Sequence, residues 1–260
     1  MLYLTLVKTT NYFHFFRSMK LTFLFILGGL ITVLFMAFVV NNPTDLIGNG
    51  NVTTRLYKLN TINKIEINGV FKTILTPTLG TNEVKVETDN NLQSSVEVIQ
   101  TDGRLVVRTR KGMAIKSSTK MNVYIGVKKF DELDYKLVGN LEMPSAFALD
   151  SLQINSNAVG KTQYNFQANF IRLNLKNIGE TTLLGSAKEA RINNRSVGKL
   201  NALDFSVENL YIHNEAIGAV EVNAIKEISI RHKGVGKFSY KGNPVVKELK
   251  DEGIGKIEKL

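Results

Sequence analysis

The sequence predicts an all-β protein, a parallel β-helix (β-solenoid) of about 19–20 residues per coil, carried behind one N-terminal transmembrane helix. Three observations predict it. A branched aliphatic followed by glycine recurs seven times, with the glycines at 139, 160, 179, 198, 218, 236 and 255, so that successive spacings are 21, 19, 19, 20, 18 and 19. Apolar and polar residues alternate on both sides of each pair. The run Leu21 to Val40, LTFLFILGGLITVLFMAFVV, contains no charge.

That N-terminal run matches the hydrocarbon thickness of a bilayer when helical. Arg17 and Lys20 precede it and the next basic residue is Arg55, so the positive-inside bias places the N-terminus in the cytoplasm and the bulk of the chain outside. A cleaved signal peptide is the competing reading. The apolar run exceeds the usual ~7–15 residues of a signal and FVVNNP lacks a small-x-small cleavage site, which favours an uncleaved anchor. Met19 directly before Lys20 also reads as a translation start. Residues 41–55, NNPTDLIGNGNVTTR, are rich in Asn, Gly, Thr and Pro and read as a linker. The expected organisation is a cytoplasmic segment 1–20, a signal-anchor helix 21–40, the linker 41–55 and a solenoid 56–260.

Within the repeat, the second residue after each glycine is Leu141, Thr162, Thr181, Leu200, Val220, Phe238 or Ile257, and the residues beside it are mostly polar. Alternation with period two argues a strand with one buried face. Six residues before each glycine stands another aliphatic column, Leu133, Ile154, Leu173, Ile192, Ile212, Ile230 and Leu249, which marks a second strand. Twenty residues cannot bury their own apolar face, so coils must stack ~4.8 Å apart with like positions in ladders. Leucine-rich repeats share the period but require an L-x-x-L-x-L spacing that is missing here. The expectation is that the branched residue fills the core at a corner, while glycine supplies a backbone angle or a close approach that a Cβ would obstruct. From 56 to 130 the alternation persists without the glycine period, between turn signals such as Asn68-Gly69 and Asp102-Gly103. This stretch reads as the first, less regular part of the same solenoid.

The order INKIEINGVFKTILT (62–76), NEVKVETDNNLQSSVEVIQTDGRLVV (82–107), then glycine-punctuated coils to GVGKFSYKGNPVVKELKDEGIGKI (234–257), resembles the head GIN domain family of auto-transporter adhesins. Ile65, Ile67, Gly69, Phe71, Val84, Val86, Asp89, Asn91, Leu92, Asp102, Gly103, Leu105 and Val107 carry the resemblance. It implies a right-handed parallel β-helix, extracytoplasmic, in a bacterial cell envelope or at its surface.

The residues offer little for catalysis. Without cysteine, disulfides, thiolate metal sites, cysteine nucleophiles and a lipid-modified N-terminal cysteine are excluded. His14, His213 and His232 are far apart in sequence. Asp131, Glu132 and Asp134 cluster, and Asp204 with Glu208 flank a coil, but neither set recurs at the step that would stack paired acids as β-helix lyases and hydrolases need. Asn155, Asn174 and Asn193 do recur at that step, continued by His213 and Arg231, as an exposed amide ladder or a glycan-facing row. The net charge of +10 is scattered through alternating segments rather than gathered in a block, so nucleic acid is not an expected partner.

These readings converge on a non-enzymatic, membrane-tethered, adhesin-like binding or structural protein, with a carbohydrate-active β-helix enzyme as the alternative. No catalytic, cofactor-binding or metal residue is assigned and no cofactor is expected. The expected partners are the membrane, through the N-terminal helix, and envelope or extracellular polysaccharide or protein. In the last repeat Lys247 and Lys259 occupy positions that are apolar in earlier repeats, which predicts a charged end cap against edge-to-edge association.

Overall fold

Alternation dictates strands, and the strands stack. The computed structural model describes residues 44–79 and 82–260. The apolar run 21–40 and the segment 1–20 lie outside the described residues. In chain order the strands are β1 (Thr44–Ile47), β2 (Val52–Lys58), β3 (Lys64–Val70), β4 (Lys72–Thr76), β5 (Glu83–Asp89), β6 (Val96–Thr101), β7 (Arg104–Thr109), β8 (Met113–Ser117), β9 (Met121–Gly126) and β10 (Glu132–Val138). They continue with β11 (Leu141–Glu142), β12 (Phe147–Val159), β13 (Thr162–Leu175), β14 (Thr181–Asn194), β15 (Leu200–Asn214), β16 (Val220–His232), β17 (Phe238–Lys241), β18 (Val245–Asp251) and β19 (Ile257–Lys259). A 3-10 turn at Asn90–Ser95 joins β5 to β6. The segment 41–55 therefore holds β1 and the start of β2, and β2 pairs with β5.

From β10 onward the ladder is parallel throughout. Leu173 pairs Ile192, Ile192 pairs Ile212 and Ile212 pairs Ile230, so the aliphatic column six before each glycine is a continuous stack, buried from Leu133 to Ile230. The first limb of each coil contributes Tyr164, Phe166, Leu183, Phe205, Val222 and Phe238 to the same core. Phe166 and Phe205 meet edge to face at 5.1 Å, the favoured aromatic geometry. The coil of 20 residues between Gly198 and Gly218 is accommodated by register shifts on both sides of β15, around Asp204.

The stretch 56–130 is solenoid only in part. β3 and β4 lie parallel beneath β10 and β11, and β7 and β9 lie parallel beneath β3 and β4. The remaining strands reverse direction: β2 against β5, β5 against β9 and β6 against β7 are antiparallel. This end of the stack is thus closed by hairpins, because short turns such as Asp102-Gly103, with φ of +48° and +76°, return the chain on itself at once.

The expectation that the branched aliphatic fills a core corner is overturned. Val70, Val138, Val159, Ile178, Val197, Ile217, Val235 and Ile254 are in register and all are exposed, from 44% at Val235 to 73% at Ile254. Alternation counted from Leu173 explains it: Leu175 and Asn177 point inward, so Ile178 must point out. The inward corner positions belong to Asn177, Ser196 and Ala216, all buried. The expected close approach at glycine is found. The seven repeat glycines have φ between +129° and +146°, and a Cβ on any of them would collide with backbone of the coil before it.

The end cap also differs from expectation. A register shift pairs Ile228 with Val246 and Ser229 with Glu248, so Val246 takes the apolar column and Lys247 is squeezed out, its Nζ 3.0 Å from Glu227. Lys259 does follow Tyr240 in its column and is exposed, its Nζ 2.7 Å from Asn243 Oδ1.

Candidate functional site

The outward residues of the second limb form one broad face. Its central column is Asp134, Asn155, Asn174, Asn193, His213 and Arg231, each paired in register with the next, so the row expected from the 19-residue step is brought together, half-buried from Asp134 to His213 and exposed only at Arg231. Asn174 Nδ2 donates to Asn155 Oδ1 at 2.8 Å, and Asn155 Nδ2 donates to Asp134 Oδ1 at 2.6 Å. The ladder breaks at Asn193, whose Oδ1 accepts no hydrogen bond among the described residues. His213 Nε2 lies 3.1 Å from Glu215 Oε1 but without hydrogen-bonding alignment.

Two more columns flank the amides and do not stand out in the sequence, because their members change from coil to coil. Arg172, Arg191, Tyr211 and Ser229 run along one side. Lys176, Arg195, Glu215 and Lys233 run along the other, one residue past the paired columns of Leu175, Asn194, Asn214 and His232. Arg191 Cζ sits 5.3 Å from the ring centroid of Tyr211. Carboxylates neutralise part of this charge: Arg191 Nε meets Glu189 at 2.7 Å, Arg195 Nε meets Glu215 at 2.6 Å and Arg231 Nε meets Glu248 at 2.8 Å. The Arg195 hydrogen bond holds the Glu215 carboxyl below its ordinary value. Two shallow grooves of about 560 and 540 Å³ lie side by side on the face, one on either side of the Asn174 and Asn193 row that lines both; together they make up its trough.

Three of the acids singled out in the sequence, Glu132, Asp134 and Glu208, are held by lysines, while Asp131 and Asp204 are exposed. Lys64 Nζ bridges Glu132 at 2.6 Å and Asp134 at 3.0 Å, and those bonds keep the Lys64 ammonium above its usual value. Burial disfavours the Asp134 carboxylate, yet Asn155 and Lys64 together hold it below the usual range. Glu208 pairs with Lys226 at 2.7 Å, and Asp204 is exposed beside the β15 register shift. Among the described residues no three His, Asp or Glu side chains gather as a metal site would require.

Inside the corner runs a second polar ladder, the buried counterpart of the outer one. Asn194 Nδ2 donates to Asn214 Oδ1 at 3.0 Å, and Asn214 Nδ2 lies 3.0 Å from His232 Nδ1. Asn177 donates to Thr181 Oγ1 at 3.0 Å and accepts from the Ala158 amide at 3.0 Å and from Ser156 Oγ. These side chains satisfy groups that the turn would otherwise bury unpaired.

The family described as "Putative auto-transporter adhesin, head GIN domain" matches residues 61–244. The chain belongs to this family. The head GIN domain is similar in fold to solved structures described as a putative adhesin from Bacteroides fragilis (24% identity, TM-score 0.77, 83% of this chain and 100% of that one) and a putative adhesin from Parabacteroides merdae (19%, TM-score 0.57, 83% and 99%). A putative lipid binding protein from Parabacteroides distasonis shares the head GIN architecture at 19% identity and TM-score 0.57, over 84% of this chain and 100% of that one. No curated protein matches the chain.

Proposed function

We infer that this head GIN protein is a non-enzymatic, adhesin-like binding solenoid of the bacterial envelope, held at the membrane by residues 21–40 with its coils on the extracytoplasmic side. The registered outer face of the second limb carries this reading: amides and guanidinium groups repeat coil after coil on a rigid sheet, which is a geometry for engaging an extended partner rather than for enclosing a small substrate. Of the five acids singled out, Glu132, Asp134 and Glu208 are engaged by lysines, which argues against these three as a ready general acid or base. The uncharged run 21–40 and the basic residues before it support the anchor and its orientation. A right-handed coil agrees with the strong preference of parallel strand crossovers.

The test is a glycan-array screen of the detergent-solubilised full chain, paired with product analysis of every polymer retained. Retention without cleavage is the expected result. Release of shortened or unsaturated oligosaccharides would make the protein a carbohydrate-active enzyme and end this reading.

A further inference from the structure

The trough is chemically specific in its middle coils. Arg172, Lys176, Arg191 and Arg195 stand on the two consecutive strands β13 and β14 and their following turns, two on each side of Asn174 and Asn193. Arg172 and Lys176 have no carboxylate partner among the described residues. Arg191 and Arg195 engage their carboxylates through Nε, and among the described residues their terminal Nη groups donate no hydrogen bond. A guanidinium has five donors in a planar fork suited to carboxylate, sulfate and phosphate oxygens. Tyr211, 41% exposed on the next coil in the Arg172–Arg191 column, presents an aromatic surface on which a sugar ring can lie.

We propose that this trough binds an acidic polysaccharide, a polymer carrying carboxylate, sulfate or phosphate groups, laid along the solenoid axis across Asn174 and Asn193. The proposal rests on the binding reading above and deepens it. Like positions on successive coils are ~4.8 Å apart, close to the length of one sugar in an extended chain, so the two middle coils offer cations to the anionic groups of two successive residues. The amides supply both donors and acceptors for the hydroxyls between those groups. Single-stranded nucleic acid would need a row of aromatic platforms; the outward aromatics here are Tyr211 and Phe170, and Phe170 is flanked by Arg172 and Arg191, whose Cζ atoms lie 5.8 and 5.9 Å from its ring centroid.

The experiment measures binding of the detergent-solubilised full chain to polygalacturonate, dextran sulfate and a phosphate-bearing teichoic polymer, with neutral dextran and duplex DNA alongside. Arg172→Gln with Lys176→Gln removes the two unpaired cations. Lys188→Gln with Lys241→Gln removes equal charge away from the trough and serves as control. The expected result is binding of at least one acidic polymer, weakened about tenfold by the trough pair and unchanged by the control pair. The log–log salt slope should become shallower by roughly one to two in the trough pair alone. The ranking of the three acidic polymers identifies the anionic group. Equal weakening by both pairs, tighter binding of DNA than of any polysaccharide, or no binding of an acidic polymer overturns the proposal. Retention of neutral dextran alone overturns it too, while leaving the broader binding reading intact. Unchanged thermal midpoints in both pairs exclude misfolding as the cause.

Discussion

A Cβ placed on Gly198 would stand 2.8 Å from the carbonyl carbon of Gly179 and closer still to its oxygen, with φ at +134°. Each repeat glycine from Gly160 to Gly255 repeats this relation to the one before it. The obstacle is backbone of the neighbouring coil, which cannot rotate away. Gly198→Ala should therefore destabilise the solenoid by about 3 kcal/mol or more, combining the unfavourable φ with a steric clash. Chemical denaturation checks it, and a loss below ~1 kcal/mol would mean that the coils separate more readily than their stacking indicates.

Core and ridge should respond oppositely to similar changes. Ile212 is 3% exposed and Ile217, five residues on, is 57% exposed. Ile212→Asp loses the ~1.5–3 kcal/mol of a buried aliphatic and adds several kcal/mol for an unpaired buried carboxylate, enough to unfold neighbouring coils. Ile217→Asn should shift stability by about 0.5 kcal/mol or less. Circular dichroism melts of the two variants decide the point, and a severe loss at Ile217 would restore the corner-core arrangement.

A pH effect should originate at the hairpin end. Asp89 is fully buried, accepting from the Gly50 amide at 2.7 Å and the Thr119 amide at 2.8 Å. Its burial opposes ionisation, but the Thr119 and Gly50 hydrogen bonds prevail and hold the carboxyl below its ordinary value. A folded pKa below the unfolded one contributes stability that is present above about pH 4 and lost as pH falls through the lower, folded value. Asp89→Asn, which cannot accept from both amides with two anionic oxygens, should lower the thermal midpoint at pH 7. It should also flatten the dependence of that midpoint below about pH 4. Parallel pH profiles in the two proteins would remove Asp89 from the account.

Asn177 is the hub of the inner corner, bonding Ala158, Ser156 and Thr181 and donating its own backbone N–H to Ser196 Oγ at 3.0 Å. Asn177→Ala strands several buried polar groups, each costing about 1–3 kcal/mol if no water replaces the amide. A loss of about 2–4 kcal/mol is expected, with hydrogen exchange accelerated first at Ala158. At the half-buried outer ladder, Asn174→Ala should cost about 1 kcal/mol, and equal losses at the two sites would contradict the distinction between inner and outer ladders.

Much of this was legible in the residues themselves. The 19-residue step placed Leu173, Ile192, Ile212 and Ile230 in one stack, and the same step placed Asn174, Asn193 and His213 in one outward column, because parallel coils of near-constant length put equal sequence positions side by side. The cationic columns repeat with the same step but not with the same residue type, so Arg191 and Tyr211 join one surface only when coils are superposed. Lengths that vary by one residue per coil were the other gap. Whether an extra residue is expelled at Asp204 or at Lys247 depends on packing against the coil beneath, and no local pattern carries that information. The sequence by itself determined the solenoid and its period, through alternation that admits one buried face per strand. Only the tertiary structure decided that the aliphatic ridge faces out, that hairpins close one end, and that the basic residues and amides converge into a trough, because each depends on which way a side chain points once neighbouring coils have claimed the interior.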